Sequence, residues 1–502
     1  MTNRLYEPAE NATMCIKKEH TSNATSVTSV STMAFKNVFA NRSSLQNSNK
    51  TVTSAAALTL KQSLWPLTIV TILFFLWGFA YGLLDTLNSH FQVTLGITRA
   101  RSSGLQAAYF GAYPLASLGY ANWILRHAGY KAVFIFGLSL YGIGALMMWP
   151  AGVYQSFGGF CGATFIIGSG LGSLETAANP FIVACGPPRY AEIRINVSQT
   201  LNAVGTIVGP LLGSYVFFNG TQDTVQALKS VQWVYLGIAC FVFLLAGVFF
   251  LSSIPEISDA DMEAQVQEAH VEGRKASFWK QHRLFHAAFA QFCYVGSQVA
   301  IAGYFINYVV DTRPGTSHSA GSKLLSGAQG TFAVGRVLGT VLMKFVRPRY
   351  VLLAFMSGAT IFLAPATRAR EDAGIAMLFL VLFFESICFP TIVALGTRGL
   401  GCHYKRGSGW IIGGVLGGAA VPPLLGVVAD LHNDTGIAMV VPLVFFVAAV
   451  TYPIALNFVA SYRIPADATT DSNVGLTEHN REEKYSQGGE LEQIEEVAVS
   501  KV

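Results

Sequence analysis

Apolar residues in this chain gather into long runs separated by short polar gaps. Runs of about 20 residues are the length that crosses a bilayer as a helix. Reading them in order predicts spans at 64–91, 103–124, 130–150, 153–184, 196–218, 230–252, 284–310, 324–346, 350–367, 374–399, 408–430 and 437–460. The gaps are brief except for one from about 253 to 283, which divides the spans six and six. It starts at Pro255, and Ser258 followed by Asp261 reads as a capping-box-like helix start. Met262, Val266 and Ala269 follow at helical spacing, so a short surface helix is expected there. Phe278 and Trp279, beside Lys280 and Arg283, read as an interfacial segment leading into the seventh span.

Composition sharpens this. The chain of 502 residues is 52% hydrophobic and 12% charged, where soluble domains carry roughly 25% charged residues. The mean hydropathy is +0.44. A soluble enzyme, a disulfide scaffold and a disordered regulator are excluded, and the fold class expected is an all-α integral membrane protein with twelve transmembrane helices in two six-helix bundles. The 49 Gly suit close helix packing in lipid. A net charge of +5 without a basic patch gives no reason to expect a nucleic-acid partner. The 7 Cys, mostly inside apolar runs, read as free thiols without metal-ligand spacing. No cofactor is expected. Residues 1–62 are rich in Ser, Thr and Asn and show no signal-peptide core.

The organisation expected is a disordered cytosolic N-tail (1–62), a six-helix bundle (63–252), a cytosolic linker (253–283), a second six-helix bundle (284–460) and an acidic cytosolic C-tail (461–502). With both termini in the cytosol, inner loops carry fourteen Lys and Arg and outer loops seven, in keeping with the positive-inside rule. Arg99 and Arg101 run against that trend. The sequons at Asn219 and Asn433 fall in outer loops; four more lie in the N-tail.

The two halves repeat. Glu175 to Gly186 reads ETAANPFIVACG, and Glu385 to Gly396 reads ESICFPTIVALG. The next span of each half carries PLLG, at 210–213 and 423–426. Halves repeated in one orientation are related by an axis along the membrane normal, as in major-facilitator transporters.

An ionisable group deep in a bilayer needs a partner or a polar cavity. Asp85, Glu175 and Glu385 stand in long apolar runs. A carboxyl that takes a proton on one side and releases it on the other couples transport to a proton gradient; the alternative is interhelical hydrogen bonding. Asn179 lies one turn after Glu175. Ser198, Gln199, Asn202 and Thr206 form one polar stripe, and Gln291, Tyr294 and Gln298 another. Amides that donate and accept, beside aromatic rings, suit the hydroxyls and apolar face of a sugar; interhelical hydrogen bonding would use the same stripes.

The stretches FFLWGFAYGLLDTLNSHFQ (74–92), GLGSLETAANP (170–180), RINVSQTLN (194–202) and AQFCYVGSQ (290–298) closely resemble the fucose permease family, sugar/proton symporters of the major facilitator superfamily that include glucose/galactose permeases. GRVLGT (335–340) and PTIVALG (390–396) extend the likeness into the second half. The long tails are similar to those of fungal members. The resemblance implies a central cavity worked by alternating access, proton-linked roles for Asp85 and Glu175, and a sugar contact at Asn202. Together these readings lead to a monomeric, multi-pass, proton-coupled monosaccharide importer of the plasma membrane. Its partners are the sugar, protons and the lipid bilayer. Proton-coupling residues are expected at Asp85, Glu175 and Glu385, and substrate contacts at Asn202, Gln199, Gln298, Tyr294 and Asn179. The rivals are a carrier of another polar solute, a uniporter, or a sugar sensor that does not transport. An enzyme is not expected. The Glu385 expectation comes from the repeat: superposed halves set it opposite Glu175 across the central axis.

Overall fold

The computed structural model describes residues 60–216, 224–252, 254–257, 262 and 277–471. The N-tail, the Asn219 sequon, most of the expected linker helix and the C-tail beyond 471 lie outside the described residues. Among the described residues, twelve long helical segments follow one another, with one more helix after them. The first half holds α1 (Leu60–Leu95), α2 (99–128), α3 (130–153), α4 (Phe157–Ala184), α5 (Ala191–Val216) and α6 (Thr224–Leu251). The second holds α7 (His282–Thr312), α8 (His318–Leu342), α9 (Pro348–Ala366), α10 (371–396), α11 (404–432) and α12 (Val440–Phe458), and α13 (Ala460–Asp471) follows.

Nine stretches among the described residues are apolar and long enough to cross a membrane. One of them, Arg99–Val153, holds both α2 and α3. The two are separated at Gly129, whose φ of +86° breaks the helix in a region open to glycine. Two further helices, α5 and α8, fall short of that hydropathy because polar residues occupy their inward faces. The twelve expected spans are thus found, with ends that move by a few residues. Residues 154–156, expected inside the fourth span, form a turn instead, and the Ser156 hydroxyl caps α4 by accepting from Gly159 N–H at 3.1 Å. The aromatic segment before α7 is a single turn, Phe278–Lys280. Trp279 there stacks on Phe285, and the Arg406 guanidinium lies 4.1 Å from the Phe278 ring centroid.

Glycines set the closest helix contacts. A Cβ on Gly78 would lie 1.8 Å from the Asn202 carbonyl oxygen, and one on Gly205 2.5 Å from that of Phe75. Gly78 and Gly82 on α1 face Gly205 and Gly209 on α5, two small-xxx-small patterns meeting backbone to backbone. The second half repeats the device. A Cβ on Gly417 of α11 would lie 1.9 Å from the Phe292 carbonyl oxygen of α7, and one on Gly296 would meet Val421 at 2.3 Å. The sequence repeat therefore has a structural counterpart: α1–α5 and α7–α11 pack alike, and PLLG lies in α5 and α11. Between the halves, α5 packs against α8, α2 against α11 and α1 against α7.

The repeat fails at one place. Helix α4 runs unbroken through Glu175, whereas α10 stops at Glu385 and resumes at Cys388. Pro390 has no N–H, and its ring crowds the carbonyl four residues back, which is that of Ser386. The carbonyls released by the break are taken by side chains. Tyr294 donates its hydroxyl to Glu385 O at 2.7 Å, and Arg336 donates Nε to Ser386 O at 2.8 Å.

The C-tail is helical at its start. Asp467 on α13 pairs with Arg347 at 2.8 Å and Arg349 at 2.9 Å, and Arg398 donates to the Ala466 carbonyl. Charged anchors thus order a segment that its composition alone marks as solvated.

Candidate functional site

A cavity of about 80 Å³ lies between the halves. Its floor and walls combine the amides Gln199, Asn202, Gln298 and Gln329 with Trp77, Tyr81, Tyr113 and Phe389, one carboxyl, Glu175, and one guanidinium, Arg336. The polar stripe of α5 divides: Gln199, Asn202 and Thr206 line the cavity, while Ser198 turns to Thr71 of α1 at 3.0 Å. In the α7 stripe only Gln298 lines it; Tyr294 is the bolt on the α10 break, and both amide atoms of Gln291 are buried without a partner.

Glu175 is held from behind. Asn179, one helical turn on, donates to Glu175 Oε1 at 3.3 Å, and its own oxygen accepts from Gln199 Nε2 at 3.3 Å. The Tyr113 hydroxyl completes the surround. Two hydrogen bonds thus connect the Glu175 carboxyl to a cavity amide. Asn179 itself does not line the cavity.

Asp85 is 1% exposed and stands away from the lining, with both carboxyl oxygens lacking a hydrogen bond. Glu385 is 1% exposed and also outside the lining. Its charged neighbours are Arg336 and Asp85. The symmetry argument set Glu385 opposite Glu175; its surroundings are Arg336 and, within electrostatic reach, Asp85, and it lies next to the α10 break that α4 lacks.

Arg336 was not among the residues singled out from the sequence. Buried to 2% exposure, it stacks 4.4 Å from the Phe332 ring centroid. It donates Nη1 to Gln199 O at 2.6 Å and stands 3.5 Å from Asn202 Oδ1. The GRVLGT stretch contained the signal. A basic residue deep in an apolar run calls for the same scrutiny as a carboxylate.

Both ends of the cavity are bridged between the halves. At the α1–α2 end, Arg99 pairs with Asp311 at 2.9 Å, Asp430 accepts from Ala100 N–H at 3.0 Å, and Tyr304 donates to Arg99 O at 2.8 Å. On the same end Arg370 pairs with Asp434, chiefly by a hydrogen bond that holds the Asp434 carboxyl below its ordinary range. The exposed Asn433 of the sequon lies there too. At the α2–α3 end, Arg398 and Glu192 form a buried pair at 2.5 Å, Asn122 donates to Lys405 O at 3.0 Å, and Tyr404 donates to Pro180 O at 2.8 Å. Glu256 there accepts from Tyr130 N–H at 3.0 Å; burial pushes its carboxyl up, against that amide and the nearby Lys405. Arg99, which the sequence reading set against the expected charge trend, is paired with Asp311.

Known proteins resemble this chain in sequence and in architecture. The sequence model of the Major Facilitator Superfamily matches residues 70–411. The L-fucose-proton symporter of Escherichia coli (strain K12) is 32% identical over 401 residues, 76% of this chain and 90% of that protein. The glucose/galactose transporter of Brucella abortus biovar 1 (strain 9-941) is 32% identical over 371 residues, 72% of this chain and 87% of that protein. The crystal structure of the transporter FucP in the outward conformation superposes with a TM-score of 0.65 at 30% identity, covering 78% of this chain and 98% of that one. A shared fold and shared sequence over most of their lengths lead to one conclusion: this chain is a multi-pass membrane transporter belonging to the Major Facilitator Superfamily.

Proposed function

We propose that the protein is a proton-coupled symporter that imports a monosaccharide, L-fucose or a related hexose, by alternating access. The observation that carries this reading is the Glu175–Asn179–Gln199 chain, which joins a buried carboxyl to an amide of the cavity wall. Sugar hydroxyls engage Gln199, Asn202 and Gln298, and Trp77, Tyr81 and Phe389 cover the apolar face of the ring. Protonation of Glu175 changes which hydrogen bonds Asn179 can make and so links sugar binding to the proton. Asp85 is the second proton carrier, and Glu385 with Arg336 sets its electrostatic surroundings. Tyr294 and Asn179 support the site from behind. The relatives named above, an L-fucose-proton symporter and a glucose/galactose transporter, support the substrate class.

Basic residues and the Asn433 sequon favour the α1–α2 end as the outer face, with both termini in the cytosol and the plasma membrane as the location. The two bundles of one chain supply the whole site, which supports a monomer. The test is uptake of labelled L-fucose, D-galactose and D-glucose in a transporter-deficient host, with and without a protonophore. Uptake of one of these that collapses with the protonophore is expected. Uptake indifferent to it would remove the symport reading.

A further inference from the structure

Helix α1 presents Tyr81, Asp85, Asn88 and Gln92 at offsets of four, three and four, which places them on one face. Across from them α7 presents Gln298, Gly303, Asn307 and Asp311. The two faces meet rung by rung. Tyr81 donates to Gln298 O at 3.5 Å, Asn88 to Gly303 O at 2.9 Å, and Asn307 to Gln92 Oε1 at 2.7 Å. Beside them, Gln106 of α2 converges with Asp85 on Gly303. A Cβ on that glycine would lie 2.9 Å from Gln106 Nε2 and 3.5 Å from Asp85 Oδ1. The column ends at the Arg99–Asp311 pair of the α1–α2 end.

Two features separate this column from the sugar site. Its first rung, Tyr81 and Gln298, borders the cavity, whereas Asp85, Asn88, Gln92, Gln106 and Asn307 are all absent from the lining. The column also holds buried polar atoms that packing does not use: both oxygens of Asp85, both amide atoms of Gln106, Asn88 Oδ1 and Asn307 Oδ1 have no hydrogen-bond partner. Asp85 is 1% exposed, Asn88 and Gln106 0%, and Asn307 5%. Burying polar atoms unpaired is costly, and apolar side chains of similar size would fill the same space without that cost.

We propose that this column between α1, α2 and α7 is the route by which a proton from the α1–α2 side reaches Asp85, distinct from the path of the sugar. The inference rests on the symport reading above. Amides do not carry protons themselves; their unpaired donors and acceptors hold water in line. A proton entering as hydronium passes along that water, and its last O–H bond forms on an Asp85 oxygen, so the carboxylate becomes a neutral carboxyl. Among the described residues, Arg99, Asp311, Asp430 and His318 face the column at its mouth, and Glu385 is within electrostatic reach of Asp85 at its inner end. On the cavity side, the Tyr81 hydroxyl is within electrostatic reach of both Asp85 and Glu385.

The test uses the full chain in proteoliposomes and whichever of labelled L-fucose, D-galactose and D-glucose the parent accumulates. Two readouts are compared for Gln106→Leu and Asn307→Leu: accumulation driven by a pH gradient, and sugar exchange at equal pH and sugar on both sides, which needs no net proton movement. Accumulation is expected to fall at least about tenfold while exchange stays within about twofold, and Gln106→Asn should recover accumulation. Full accumulation in both leucine variants, or exchange lost in parallel with accumulation, would overturn the route. A parent that ignores a protonophore would remove the symport reading and the route with it; a proton-driven parent with unaffected variants would remove the route alone.

Discussion

The guanidinium of Arg336, on α8 of the second half, donates to the backbone carbonyl of Gln199, on α5 of the first, at 2.6 Å. The same side chain reaches Ser386 O at the α10 break and lies against Phe332. One cation thus ties together the two halves, the interrupted helix and the amide stripe of the cavity. A link of this kind has to be remade whenever the halves rock apart.

Arg336→Met should leave the Gln199 and Ser386 carbonyls without their donor. A hydrogen bond to a charged group contributes about 1.5–3 kcal/mol, and because Arg336 lines the cavity and holds Gln199 and Asn202 in place, sugar affinity is expected to fall at least about tenfold while the protein still inserts. Arg336→Lys should not rescue it, because an ammonium lacks the planar fork that serves several acceptors at once. Sugar binding by calorimetry on purified variants checks both. Parental affinity in either variant would contradict the role.

Tyr294→Phe removes the 2.7 Å hydrogen bond to Glu385 O. The freed carbonyl is buried, and leaving it unpaired should cost about 1–3 kcal/mol. Since Tyr294 does not line the cavity, the expected outcome is a lower Tm in detergent with an unchanged KM for sugar. A raised KM at parental Tm would place the hydroxyl on the substrate instead.

The repeat was legible as letters because Pro180 and Pro390 sit five residues after Glu175 and Glu385. What letters do not carry is that Pro390 opens its helix and Pro180 does not. That difference lies in whether a neighbour can take the released carbonyls, and Tyr294 and Arg336 come from other helices. The amide stripe of α5 was legible for the opposite reason: spacing within one helix fixes one face. Even so, Ser198 turned to α1, since its burial is decided by the glycine-mediated approach of α1 and α5. The twelve spans were legible from apolar run length. The order of α13 was not, because it depends on Arg347 and Arg349, more than a hundred residues upstream.

The ion pairs at the two ends should act in opposite directions. Asp311→Asn removes the partner of Arg99 and favours opening at the α1–α2 end. Glu192→Gln removes the carboxylate partner of the buried Arg398 charge, a loss of about 3–5 kcal/mol for buried pairs, and favours opening at the other end. Cysteines introduced at Ala100 and at Arg189, in a cysteine-free parent, report this by labelling rate with a membrane-impermeant maleimide. Asp311→Asn should speed labelling at position 100, and Glu192→Gln at position 189. Equal rates in all variants would show that neither pair holds an end closed.

The proton–sugar link is tested most directly by the pH of an unbuffered medium around de-energised cells when sugar is added. The parent should draw protons inward with the sugar and make the medium more alkaline. Asp85→Asn and Glu175→Gln, permanently neutral, should give no alkalinisation while still exchanging labelled sugar. No pH change with the parent, or an undiminished one in both variants, would contradict the account.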